Sequence, residues 1–167
     1  GSNMTVANAG VILGTAHQIS DDSDNRYLNA AKANLNYLLG KNPNGECYVT
    51  GYGTVSPQNP HHRPSMAKGT AMKGMLVGGV NSNLEDSAAK AYLMSASPAK
   101  CYVDHSESYS TNEITIYWNS PLTYLMSLTE AESAGGDEEP VKGDVNNDGT
   151  ADVLDLVILK NYILGNI

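Results

Sequence analysis

The 167 residues suffice for one domain with a buried core, or for one domain and a small appendage. Only 17% of them are charged, yet the balance is acidic, with formal net charge -8 and pI about 4.8, which argues against a nucleic-acid backbone or an anionic membrane as partner and leaves a neutral polysaccharide compatible. No apolar run approaches the ~20 residues of a membrane span, and no charged-then-apolar leader opens the chain.

Residues 5–19 carry Val6, Ala9, Leu13, Ala16 and Ile19 at spacings of three and four, which predicts an amphipathic helix. The polar run 20–24 ends it. A second helix is expected from Ser23 or Asp24, either of which could cap it, to Leu39, with Gly40 as a left-handed stop and Tyr27, Leu28, Ala31, Leu35, Leu38 and Leu39 facing inward. Joined by a short polar turn, the two form an antiparallel pair.

Over residues 41–100 periodicity fades and Gly and Pro punctuate the chain. So long an irregular stretch in a compact domain builds a binding surface or a lid. One short helix is predicted over residues 86–96, with Ala88, Ala89, Tyr92 and Leu93 on one face. Within the stretch, Pro60-His61-His62-Arg63 reads as a surface loop; metal binding is a poor reading, because adjacent histidines seldom aim at one ion and no nearby Cys or Glu completes a set. Two cysteines, Cys47 and Cys101, are too few for a disulfide framework and fit either a pair or two small apolar residues.

Residues 101–121 set Asp104, Glu107 and Glu113 among Tyr102, Tyr109, Tyr117 and Trp118. Aromatic faces stack on pyranose rings, and a carboxyl group held among them stays protonated to higher pH, ready to donate to a leaving glycosidic oxygen. On residue chemistry alone a solvated polar surface is the better reading, because a Glu in a polar run is ordinarily a solvated surface residue. Asn119-Ser120-Pro121 predicts a helix start, followed by a buried stripe of Leu122, Leu125, Met126 and Leu128.

Residues 131–140 are acidic and small with no large apolar side chain, which predicts a solvated linker and a domain boundary. Beyond it, Asp144, Asn146, Asp148, Thr150 through its carbonyl, Asp152 and Asp155 occupy the oxygen-donor positions of an EF-hand-like calcium loop, with Gly149 at the sharp turn. A helix is expected from Val153 to about Leu164, with Leu156, Leu159 and Ile163 on one face.

The run Tyr102-x-Asp104, four residues, Tyr109, three residues, Glu113-x-Thr115, three residues, Asn119-Ser120 resembles the acid-bearing signature of the family 9 glycoside hydrolases, mostly cellulases. The resemblance implies that Glu113 is the general acid and that Asp104 supports the site. Residues 48–53 leading to His61-x-Arg63 are similar to the family's second signature, with Cys47 and Val55 departing from it. This implies that His61 and Arg63 line the substrate cleft, with Tyr109 beside them. The 143–155 loop and its helix resemble the first repeat of a type I dockerin, which implies Ca2+ binding and a cohesin partner met through Val153, Leu154, Lys160 and Asn161.

By this resemblance the fold is mainly α. Residues 1–130 form the C-terminal portion of an (α/α)6 barrel with long loops, 131–140 a linker, and 141–167 a partial dockerin. The implied activity is that of a secreted, cellulosome-associated endo-β-1,4-glucanase acting with inversion. The family's base motif, Asp-Ala-Gly-Asp, does not occur in the sequence, so the chain alone is expected to be inactive. The competing expectation is a non-catalytic carbohydrate-binding or scaffold-attachment module.

Overall fold

A computed structural model describes residues 1–134, 143, 145, 151 and 153–163. It is mainly helical: α1 (Asn3–Ile19), α2 (Arg26–Leu38), α3 (Arg63–Lys68), α4 (Ser87–Leu93), a 3-10 turn (Pro98–Lys100), α5 (Tyr109–Asn112), α6 (Ile116–Ala134) and α7 (Val153–Ile163). Extended pairing among the described residues is confined to the bridges Val49 with Leu76, His61 with Glu113 and Val77 with Ile114. The chain divides into two compact units between Ala131 and Glu132. Because α6 runs on to Ala134, the first four residues of the expected linker are helical.

In the first unit α1 packs along α2, but not through the stripe its large residues predict. Its buried positions are Asn3, Ala7, Gly10 and Gly14, while Ile12 and Ile19 are 69% and 81% exposed. The reason is distance. A Cβ on Gly10 would stand 2.6 Å from Leu125 Cδ2 and 3.2 Å from Asn34 Cβ, and one on Gly14 would stand 2.5 Å from Leu128 Cδ2. The seam therefore demands small residues so that α2 and α6 can approach the α1 backbone, and an apolar count cannot see that demand.

The cap of α2 is neither Ser23 nor Asp24. Asn25 turns the chain with φ of 55°. Asp22, buried three residues earlier, accepts from the amides of Tyr27 (2.9 Å) and Leu28 (3.2 Å) and from His17 Nδ1 (2.8 Å), which ties the end of α1 to the start of α2. Leu28, Ala31 and Leu38 face inward as expected, but Leu39 follows the helix and is 40% exposed.

Helix α6 starts three residues before the expected cap. Asn119 lies inside it, where its Oδ1 accepts from Leu76 N (2.8 Å) and its Nδ2 donates to Thr115 O (2.8 Å), so a side chain stands in for a strand beside residue 76. Pro121 sits in the second turn and leaves the carbonyl of Tyr117 without its helical donor. Leu122, Leu125 and Leu128 are buried, whereas Met126 is 44% exposed.

These helices close over a core of Ala7, Leu38, Tyr48, Val49, Leu76, Val77, Tyr102 and Leu122. Tyr48 and Tyr102 meet edge to face at 5.1 Å, worth about 0.5–1.5 kcal/mol beyond the area they bury. A smaller cluster joins Ala89 and Leu93 of α4 to Cys101. Cys47 and Cys101 are free, buried and in different clusters, so they pack as small apolar groups.

The irregular stretch is organised by backbone pairing. Thr50 N donates to Met75 O (3.0 Å), Val77 N to Tyr48 O (3.1 Å) and Gly78 N to Glu113 O (2.9 Å). Asn3 anchors it from α1, donating through its amide to Gly78 O (2.9 Å) and through Nδ2 to Val77 O (2.9 Å). Gly79 is required there, because its φ is +86° and any Cβ would collide with the Asn3 side chain.

In the second unit α7 spans Val153–Ile163, with Asp155 buried in its first turn and Oδ1 accepting from Val145 N at 2.7 Å. Leu159, expected on an inward face, is 43% exposed, and Val153 is 67% exposed. Asp144, Asn146, Asp148, Thr150 and Asp152 lie outside the described residues.

Candidate active site

Glu113 comes to its place through two acids, the buried Asp86, which has no family signature, and the half-buried Asp104. Asp86 caps α4, accepting from Ala89 N (2.6 Å), and the same carboxylate accepts from Ser108 Oγ (2.9 Å), Ser110 N (2.9 Å) and Ser110 Oγ. One 3% exposed side chain thus fixes both the start of α4 and the turn α5, whose last residue precedes Glu113. Burial raises the Asp86 pKa, but these hydrogen bonds outweigh burial and hold the carboxyl below its usual range. The cap was legible from Asp86-Ser87 before a helical run; the serines 22 and 24 residues away were not.

Asp104 is a clamp. Its Oδ1 accepts from Asn59 N (2.9 Å) and Asn112 Nδ2 (3.0 Å), and its Oδ2 from Gln58 N (2.8 Å) and Asn59 Nδ2 (3.3 Å). Asn112 completes the join, donating to Asn59 O (2.8 Å) and accepting from the Tyr102 hydroxyl (2.6 Å). Neither Asp86 nor Asn112 was singled out by sequence reasoning, although both position the residues that were.

With the 58–59 loop clamped to Asn112, His61 N donates to Asn112 O (2.9 Å) and His61 pairs in parallel with Glu113. The His61 Nδ1 contacts the carbonyl of Ser106. A carbonyl only accepts, so Nδ1 carries the proton and Nε2 of the neutral ring is left as an acceptor. Tyr109 presents its ring edge-on to His61 at 6.3 Å, is 49% exposed, and donates its hydroxyl to Glu85 O (3.0 Å).

Arg63 is exposed in the first turn of α3, two residues from His61, and its guanidinium has no hydrogen-bond or ion-pair partner among the described residues. His62 turns away to Ser65 Oγ (2.9 Å) and helps fold α3. A recess of about 310 Å³ opens on this side, lined by Asn59, Pro60, Ser65, Met66, Thr70 and Ser106 among others, with neither His61 nor Glu113 in its lining. The structure thus pairs Glu113 with His61 through the backbone, sets Tyr109 edge-on to His61, clamps the 58–59 loop through Asp104 and leaves Arg63 exposed in the first turn of α3.

Glu46 is a further acid missed by sequence reasoning. Burial, with the Asp104 charge adding to it, pushes its carboxyl up to about 7. An acid whose folded pKa lies above its unfolded value near 4.3 stabilises the fold below that value and loses this contribution as pH rises toward 7. Discounted for partial exposure, the loss is about 1–2 kcal/mol between pH 5 and 8. Glu46→Gln is expected to remove that part of the slope, read as urea midpoints at the two pH values; an unchanged slope would place the titration elsewhere.

Residues 1–126 match the family described as Glycosyl hydrolase family 9, and residues 142–167 match the Dockerin type I domain. Over 98% of its length the chain is 39% identical to a cellulose 1,4-beta-cellobiosidase of Acetivibrio thermocellus, of which it covers 20%. Over 63% of its length it is 45% identical to a xyloglucan-specific endo-beta-1,4-glucanase of Bacteroides ovatus, of which it covers 18%. Among solved structures, a single mutant of the thermostable endoglucanase from Alicyclobacillus acidocaldarius superposes with TM-score 0.66 at 40% identity, over 78% of this chain and 25% of that one. The family 9 endoglucanase J30 gives TM-score 0.71 at 33% identity, over 78% and 24%. The chain spans about a fifth of the length of the curated relatives it matches.

Proposed function

The chain belongs to glycosyl hydrolase family 9 through residues 1–126, and from that premise we propose that it carries the proton-donating wall of a centre that cleaves β-1,4-glucan with inversion. The observation that supports this reading is the backbone pairing of His61, whose ring is oriented by the Ser106 carbonyl, with the half-buried residue Glu113. Glu113, protonated, gives its proton to the glycosidic oxygen as the bond to the anomeric carbon breaks. The Nε2 lone pair of His61 accepts from a sugar hydroxyl, Arg63 offers its fork of donors, and Tyr109 supplies an aromatic face. Asp104 holds the 58–59 loop in register and leaves proton transfer to Glu113.

Inversion needs a second carboxylate about 6.5–9.5 Å from the acid, which takes a proton from the water that attacks the opposite face of the ring. The family's base motif is absent from this sequence, so the base is supplied by protein outside it. Purified 1–167 is therefore expected to release no reducing sugar from carboxymethylcellulose. Turnover that disappears on Glu113→Gln would overturn that expectation.

Residues 131–140 form the link to the dockerin module, with the helical end of α6 as its first part. The donors of the 144–155 segment fit a calcium ion, because they are all hard oxygens and Asp155, buried in the first turn of α7, turns its carboxylate back toward Val145 in the loop. Asp144, Asn146, Asp148, the Thr150 carbonyl, Asp152 and Asp155 would hold it, and the bound ion supplies folding free energy to the module. Chelation is expected to abolish hydrogen-exchange protection in 142–167 and leave α1 and α2 protected; loss of both would contradict a separate module. Val153, Leu154, Lys160 and Asn161 are the residues through which a cohesin is met. The working place of such an enzyme is extracellular, on a cellulosome.

A further inference from the structure

We infer that Tyr92 and His105 form an outer glycosyl-binding platform, which takes a sugar unit of the same glucan chain beyond the one at His61 and Glu113. The inference rests on the glucan-cleaving reading and adds to it a site on α4.

Helix α4 buries Ala88, Ala89 and Leu93 and leaves Tyr92 64% exposed, against the sequence expectation that Tyr92 shares the inward face. The ring is nevertheless held: it lies 5.6 Å from the His105 ring at an interplanar angle of 35°. No hydrogen bond of the Tyr92 hydroxyl exists among the described residues, so both the face and the hydroxyl are available. His105 Nδ1 accepts from Glu107 N (3.1 Å), which leaves the proton of the neutral ring on Nε2 as a donor. An aromatic face, a hydroxyl and an oriented N–H are the groups that recognise a pyranose.

Continuity with the site commits the occupant. Tyr109, against His61, bonds to Glu85 O just before α4, and Asp86 fastens the same end of the helix to Ser108 and Ser110. From Asp86 to Tyr92 the helix rises about 9 Å, the scale of one to two sugar units. The loop that carries His105 is the one whose Ser106 carbonyl orients His61. Tyr109 and Tyr92 thus stand at opposite ends of one short helix, joined below by one loop, and a chain lying on the first is led to the second.

The test is a binding titration of the 1–167 chain with cellohexaose, followed by NMR on the Tyr92 ring and the His105 imidazole. Saturable shifts of both are expected. Tyr92→Ala is expected to weaken the affinity about three- to tenfold, Tyr92→Phe to keep most of it, and Tyr124→Ala, an exposed control on α6, to change nothing. Shifts at His61 and Tyr109 without shifts at Tyr92, no binding at all, or an affinity indifferent to Tyr92→Ala would each overturn the platform. The acid assignment is read by turnover of the Glu113→Gln variant in the enzyme that carries this chain and the platform by binding to Tyr92, so failure of one is distinguished from failure of the other.

Discussion

Glu113→Gln, made in a family 9 enzyme that carries this chain, is expected to lower kcat/KM on cellopentaose by about 10²–10⁴-fold, while hydrolysis of a 2,4-dinitrophenyl cellobioside falls by less than about tenfold. The contrast follows from the leaving group. A glucosyl oxygen departs as an alkoxide unless it is protonated, whereas dinitrophenolate is stable without a proton. Gln preserves the size of the side chain, and the bridge to His61 and the Gly78 N–H to Glu113 O bond are made by backbone, so positioning survives the change. Equal losses on the two substrates would assign Glu113 a structural part.

Asp86→Ala is expected to be the most damaging single change to the fold of the first unit, at about 3–5 kcal/mol. It strands the donors of Ala89 and Ser110, which are 0% and 6% exposed, and leaves the Ser108 hydroxyl with Thr111 Oγ1 as its remaining partner. Because α5 is fastened at Asp86 and Glu113 follows α5, the variant should also lose hydrogen-exchange protection at Asn112 and at His61. Urea unfolding and exchange on the same sample check both parts; a loss under about 1 kcal/mol would mean that the turn is held without Asp86.

The sign of the pH dependence follows. Asp86 and Asp22 are both held below the ordinary carboxylate range by hydrogen bonds that outweigh their burial. The unfolded chain therefore takes up protons first as pH falls, and the stability these acids give is present above about 3.9 and lost as pH falls through their folded values. Glu46 acts in the opposite sense on the neutral side. The two effects oppose each other, so the combined contribution of these three acids is largest on the mildly acidic side, between the two losses.

Periodicity was a sound guide to the existence of α1 and α2 and a poor one to the face of α1. Helical spacing of large residues selects Val6, Leu13 and Ile19, but the tightest neighbours of α1 select for the absence of side chains at Gly10 and Gly14, and a hydrophobic pattern is blind to that. Tyr92 misled for a related reason: it stands next to Leu93 in sequence, yet the helix turns it outward to His105. The resemblance of residues 102–120 and of His61-x-Arg63 to the family's signatures named residues among which the structure pairs His61 with Glu113 through the backbone and sets the Tyr109 ring against His61. What brings His61 to Glu113 was not legible. Asp104 reaches back 45 and 46 residues to Asn59 and Gln58, and Asp86 reaches forward 22 and 24 to Ser108 and Ser110, through contacts that leave no periodic trace.

The most direct measurement is the alkaline limb of kcat/KM on an unactivated cello-oligosaccharide, recorded for the enzyme carrying this chain and for its Glu113→Gln variant. If Glu113 is the donor, the wild type loses activity as the pH rises and its acid is deprotonated, and the residual activity of the variant shows no such limb. A limb that persists in the variant at the same pH would give the proton to another group.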